Sequence, residues 1–202
     1  MPATVPRWTR LEHDERREQI LAAARRLFSA RPPAEVSTTE IAREAGVARG
    51  LLHHYFGSKR ELYLAVLRSM LRFPALPQPE AGDFGGGIDR WLTMIERNRE
   101  AWLAAMGAQG LGRDPEVEQI LEQAREDAVG RLAVALVPGD PDRPALRAVL
   151  RAYSGFAETA SLEWLVRGRL TREQVRELLL QTLTTLVRDV LPGVEHARPP
   201  RP

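Results

Sequence analysis

Between residues 38 and 55 two short helical stretches flank a tight corner, Ala45-Gly46-Val47, and the second stretch is dense in polar side chains. Arg49, His53, His54 and Tyr55 stand within seven residues of one another, with Lys59 just beyond. These groups suit contact with an anion or a base edge. The adjacent histidines cannot share a metal ion, because neighbours on a helix point about 100° apart. With no cysteine in the chain, thiolate zinc sites and disulfides are excluded, and neither a metal nor another cofactor is expected. No Glu-x-x-His or His-Glu-x-x-His pattern occurs among the four histidines, so an enzyme built on a helical bundle is the remote alternative. The corner itself carries the information. Ala45 is small where two helices approach, Gly46 tolerates a positive φ, and Val47 plugs the seam, with Ile41, Ala42, Leu52 and Phe56 completing a small core. Two short helices at such a corner form the helix-turn-helix pattern, whose second helix enters a major groove about 12 Å wide.

The elements that must hold this corner all read as helices, and the fold class expected is all-α. Residues 1–13 read as a flexible N-terminal arm, in which Arg7 and Arg10 either reach a minor groove or are simply solvated. A first helix over 14–30 places Ile20, Ala24, Leu27 and Phe28 on one face and stops at Arg31-Pro32-Pro33. A capping box, Ser37 with Glu40, opens the second helix, and a third covers 48–55. Gly57 breaks the chain, and a second box, Ser58 with Glu61, opens a connecting helix to about residue 72. The DNA-binding domain is therefore 14–72, a three-helix unit plus this connecting helix. Three prolines and four glycines mark 73–87 as a linker loop. Residues 88–195 form a C-terminal helical domain, with helices over 88–106, 114–137, 144–167 and 172–191. Asp114 caps the second of these with Pro115 at its first position, and a box of Thr171 with Gln174 opens the last. Residues 196–202 read as a disordered tail.

Charge divides along the same line. Residues 1–72 carry 13 Lys+Arg against 8 Asp+Glu, whereas 73–202 carry 16 against 19. A basic first third on an acidic remainder points to a polyanion partner for that third, scatter in surface charge being the plain alternative. Lys59 is the only lysine among 29 basic residues.

The run from Thr38 to Leu62, with Arg17, Ile20, Ala24, Leu27 and Phe28 before it, resembles the DNA-binding signature of the TetR family of transcriptional regulators. The resemblance implies a role for each matching residue. Thr38 and Thr39 open the second helix, where hydroxyls and free N–H groups hold a phosphate. Lys59 stands where the family has a phosphate-binding lysine, and the Tyr55 hydroxyl is suited to another phosphate or to simple core packing. Arg49 begins the recognition helix as the base reader, since guanidinium pairs bidentately with guanine O6 and N7. Gly50 lets the backbone approach the bases, and Leu51 and His54 lie on or beside that face. Three residues depart from the family pattern. Ala48 stands where Ser or Thr usually caps the helix, His53 replaces a usual tyrosine, and Leu51 replaces a small polar residue. These departures bear on operator sequence and affinity and leave the class intact.

The same resemblance implies a homodimer on a pseudo-palindromic double-stranded operator, with an apolar seam of Leu146, Val149, Tyr153, Val175, Leu178, Leu179, Leu183, Leu186 and Val190. That stripe can equally pack on its own domain. Trp91, Met94, Ile95, Trp102, Met106, Phe156 and Trp164 are the candidate lining of an effector cavity, with Glu158 as polar anchor and a hydrophobic small molecule as ligand. Such aromatic residues are also ordinary core material. The function expected is a repressor released by its effector. An effector-independent DNA binder or an activator is the alternative. No apolar run approaches the roughly 18 residues that cross a bilayer, and a cytoplasmic location is expected.

Overall fold

The computed structural model describes residues 7–71, 84–107, 114–137 and 139–197, with backbone only for 7–13. Among them all regular structure is helical. The elements are α1 (Arg7–Ala30), a 3-10 turn (Pro33–Glu35), α2 (Thr38–Glu44), α3 (Arg49–Phe56), α4 (Lys59–Leu71), α5 (Phe84–Arg97), α6 (Arg99–Ala105), α7 (Pro115–Leu136), α8 (Pro144–Leu165), α9 (Arg172–Thr185), a π-helical turn (Leu186–Val190) and α10 (Leu191–His196). They fall into two units. The first holds the described residues up to Leu71 together with those from Arg97 to Val117; the second holds 84–96 and those from Glu118 onward.

In the first unit, Ile20, Ala24 and Phe28 of α1 are fully buried, as their spacing predicts, while Leu27 is half-buried. Leu62, Leu64, Val66 and Leu67 of α4 are fully buried too, each fully buried side chain of this size stabilising the unit by about 1.5–3 kcal/mol. The Tyr63 ring meets Phe28 edge-on at 5.8 Å, and its hydroxyl donates to the Ala101 carbonyl at 3.4 Å. Burial pushes the Tyr63 phenol well above its ordinary range. Residues 97–107 and 114–117, expected with the C-terminal domain, thus group with α1–α4.

Five segments differ from the sequence reading. The arm over 1–13 is helical from Arg7, since nothing after Pro6 forbids a helix; residues 1–6 lie outside the described residues. The linker over 73–87 gives way to α5 at Phe84, so three consecutive glycines are helical, while 72–83 lie outside the description. The single helix expected over 88–106 is two. Asn98 sits between them at φ −120 and ψ 34, buried, its Oδ1 accepting from Arg25 Nε at 3.1 Å and Ser29 Oγ at 3.2 Å. Those two bonds to α1 hold the residue out of helical geometry. The last helix, expected as one piece over 172–191, widens into the π-helical turn, where Leu191 N–H donates to Leu186 O. Pro192 follows directly; its ring would crowd the carbonyl four residues back, and the wider turn relieves that contact. Of the tail read over 196–202, His196 ends α10, and 198–202 lie outside the described residues.

The second unit is tied by charge and one buried phenol. On α9, Arg176 Nε donates to Asp89 of α5 at 2.8 Å and Arg172 Nη2 to Thr93 at 3.1 Å. Tyr153 of α8 donates to the Leu179 carbonyl at 3.0 Å from a buried position that raises its pKa. Between α7 and α8 runs a ladder of ion pairs: Arg125 with Glu158, Arg151 with Glu122 and Glu126, and Arg147 with Glu126.

Candidate nucleic-acid interface

The corner is built from backbone bonds that the sequence dictates. Ser37 Oγ accepts from Glu40 N at 3.1 Å, and Glu40 Oε2 accepts from Ser37 N at 2.9 Å, which completes the capping box. Arg31 Nη2 adds a bond to Glu40 Oε1 at 2.7 Å. The Ser37 backbone N–H, then Arg31, lower the Glu40 carboxyl from its ordinary 4.5 to about 2. This start leaves Thr38 half-buried and Thr39 exposed in the first turn of α2. After α2, Ala45 is buried, Gly46 adopts φ +64, and Val47 N–H donates to the Ala42 carbonyl at 2.9 Å. Only glycine takes that φ without strain, and the chain reverses there.

α3 follows with one face committed and one free. Leu52 and Phe56 are buried, with the Arg17 guanidinium over the Phe56 ring at 5.1 Å. Arg49, Gly50, His53 and His54 are exposed, and Leu51 and Tyr55 are half-buried. Ala48 caps the helix with its backbone only, so the first N–H groups gain no side-chain partner, as the alanine predicted. His53 Nδ1 lies 2.9 Å from the Gly57 carbonyl, an acceptor, so in the neutral ring this nitrogen is the donor and Nε2 the acceptor. The His54 and Tyr55 rings meet edge-on at 5.5 Å. Gly57 at φ +70 ends the helix, and Ser58 Oγ accepts from Glu61 N to open α4. Lys59 is less free than the sequence suggested: its Nζ donates to the Ala34 carbonyl at 3.1 Å, with two further N–H groups left.

The residues expected to line an effector cavity or a dimer seam scatter more widely. Trp102 and Met106 belong to the first unit, Trp102 inside its core, whereas Trp91, Met94, Ile95, Phe156, Glu158 and Trp164 belong to the second. Ile95 is fully buried and Phe156 exposed. Glu158 is not an idle anchor, for it accepts from Arg125 Nε at 2.7 Å and Nη2 at 3.0 Å. Among the seam residues, Leu146, Tyr153, Val175, Leu179 and Leu183 are buried within the second unit itself. Val149 and Leu186 are half-buried, and Leu178 and Val190 are exposed. The surface of α8 instead shows Ala148, Ala152, Gly155, Phe156 and Thr159, one helical face that an apolar search passes over because its residues are small. Sequence reasoning also missed Arg60, which contacts Asp114 and Glu116 across more than fifty residues. No sequence signal pointed to that pairing.

Comparison with known proteins places both halves. The sequence profile of the tetR family of bacterial regulatory proteins matches residues 20–66, and that of the tetracyclin repressor-like C-terminal domain matches 82–186. The HTH-type transcriptional regulator BetI of Brucella anthropi is 46% identical over 83 residues, 41% of this chain and 39% of that protein. The chain thus spans about two fifths or less of the length of the curated relatives it matches. A tetR-family transcriptional regulator from Streptomyces coelicolor superposes with a TM-score of 0.72 at 26% identity, over 90% of this chain and 86% of that one. The multidrug binding protein EbrR, solved with ethidium, gives a TM-score of 0.58 at 26% identity over 83% of this chain and 98% of its own.

Proposed function

Because this chain belongs to the tetR family of bacterial regulatory proteins, and is a DNA-binding transcription regulator and not an enzyme, we propose that it acts as a dimeric repressor on a pseudo-palindromic operator. One observation carries the reading: α3 buries Leu52 and Phe56 and turns Arg49, Gly50, His53 and His54 outward from a corner fixed by Gly46. Arg49 reads a base, Gly50 admits the bases close to the backbone, and Leu51 and His54 flank that contact. Thr38, Thr39, Tyr55 and the spare donors of Lys59 hold phosphates on either side, and His53 adds a donor at Nε2 only as the imidazolium.

A single recognition helix binds a half-site weakly, so two copies are needed. The α8 face of Ala148, Ala152, Gly155, Phe156 and Thr159, with Leu178 and Val190 exposed beyond it, supports an isologous contact in which small residues let two backbones approach. Leu146, Tyr153, Val175, Leu179 and Leu183 serve the monomer's own core.

The ligand proposed is a hydrophobic small molecule in the second unit, taken up by side chains such as Trp91, Met94 and Trp164. A similarly folded protein holding ethidium, a flat aromatic cation, supports an aromatic ligand. Glu158 is already satisfied by Arg125, which argues against a cation anchored there. A ligand that favours the non-binding form a hundredfold shifts the equilibrium by about 2.7 kcal/mol against DNA. The test is a gel shift with Arg49→Ala: specific operator binding is lost while helicity and mass persist. Unchanged selectivity between specific and random DNA refutes the role given to Arg49.

A further inference from the structure

Successive residues of a helix turn by about 100°, and on that spacing α5 shows three faces about 120° apart. Ile88, Leu92 and Ile95 form the buried one. Asp89 and Thr93 form the second, turned to α9, where Arg176 Nε donates to Asp89 at 2.8 Å and Arg172 Nη2 to Thr93 at 3.1 Å. The third holds Gly87, Arg90, Trp91 and Met94, all half-buried and all within the second unit.

Arg90 is the exception on this third face. Its Nε is wholly buried and has no hydrogen-bond partner, and among the described residues Arg90 forms no ion pair. Other arginines of the unit find carboxylates: Arg125 meets Glu158, Arg151 meets Glu122 and Glu126, and Arg188 meets Asp189. The sequence around Arg90 offers none. Three and four residues away stand Gly86, Gly87, Thr93 and Met94. The two carboxylates of α5, Asp89 and Glu96, lie against Arg172 of α9 at 3.6 and 3.7 Å. A buried guanidinium donor without an acceptor is costly, because its water is removed and nothing replaces it. Folded chains rarely keep such a group unless something outside the chain completes its bonding.

There is room for an acceptor. A Cβ added to Gly87 meets nothing within 4 Å, so the middle of this face, between Arg90 and Trp91, is open. The guanidinium edge made by Nε and one Nη carries two parallel N–H groups, a fork that matches a carboxylate. The Trp91 indole and the Met94 thioether on the same face suit an apolar body. We propose that Arg90 anchors the carboxylate of an organic acid whose apolar body lies over Gly87, against Trp91 and Met94. The inference rests on the ligand reading above and gives that ligand a charge: it is an anion, opposite in sign to ethidium.

The test is calorimetric titration of the full chain without DNA, using 2-naphthoate and its neutral amide, 2-naphthamide. The unaltered chain binds the acid at least about tenfold more tightly than the amide. In Arg90→Met that preference falls below about twofold, while the amide binds as before. Arg90→Lys keeps the charge without the fork and shows an intermediate preference. Equal affinity for acid and amide in the unaltered chain, or a preference that survives Arg90→Met, overturns the anchor and leaves the apolar-ligand reading standing. Binding of neither probe overturns both. Urea unfolding of the ligand-free chain separates this role from a structural one. An arginine kept for a ligand lends no ion pair to the free fold, so Arg90→Met unfolds at the same urea concentration as the unaltered chain or at a higher one. A lower midpoint reveals an internal partner for Arg90 and overturns the proposal.

Discussion

Lys59 Nζ donates to the carbonyl oxygen of Ala34 at 3.1 Å, so the only lysine of the chain ties the start of α4 to the turn before α2. The ammonium keeps two donors for a phosphate, and the tether holds them in place. Lys59→Gln therefore weakens binding to specific and random DNA alike. The slope of log affinity against log salt falls by about 0.9, the share of one phosphate contact. A mutant with an unchanged slope shows that Lys59 meets no phosphate.

Gly46 and Gly50 separate a backbone requirement from a surface one. A Cβ at either position meets nothing within 4 Å, but Gly46 stands at φ +64 and Gly50 does not. Gly46→Ala costs about 1–2 kcal/mol of stability in urea unfolding through backbone strain alone. Gly50→Ala leaves stability unchanged or raises it by up to about 1 kcal/mol, since alanine favours a helix. Its methyl group nevertheless stands where bases approach, and specific affinity drops by about tenfold. Equal stability losses for the two variants contradict this division.

Acid acts on the capping box. The folded state lowers the Glu40 carboxyl from 4.5 to about 2, chiefly through the Ser37 backbone N–H and then Arg31. A carboxyl lowered on folding lends stability that is complete above pH 4.5 and fades as pH falls toward 2. Urea midpoints of the unaltered chain and Glu40→Gln, taken from pH 5 down to pH 3, converge as the pH drops. Parallel curves show that Glu40 carries no such linkage.

The isologous contact proposed above lies on the exposed face of α8. Ala152 is exposed at its centre, so Ala152→Arg places a long charged chain against a partner backbone. Analytical ultracentrifugation then shows the 22.7 kDa monomer, with helicity retained. Leu179→Ala behaves differently: that side chain is buried within the unit, and its loss costs about 2–5 kcal/mol of stability. A dimeric Ala152→Arg places the interface elsewhere.

The helix-turn-helix corner was legible because its signals are local. Ser37 and Glu40 lie one helical turn apart, and Gly46 and Gly57 each mark a chain reversal. Asn98 was not legible, because its departure from the helix depends on Arg25 and Ser29 far earlier in the chain. The apolar stripe on α8 and α9 was only half legible for a related reason. A run of leucines at helical spacing does not say which of them meets solvent, and Leu179 and Leu183 are buried while Ala152 and Gly155 are exposed. Glu158 looked like a lone charge among apolar residues until Arg125, 33 positions earlier, proved to be its partner.

Selection of bound fragments from a random DNA pool by the unaltered chain probes the regulator reading most directly. The account predicts an enriched inverted repeat with a fixed spacing between half-sites, lost when Arg49 is alanine. Enrichment of no sequence, or of an unpaired asymmetric one that the Arg49→Ala protein binds equally well, contradicts it.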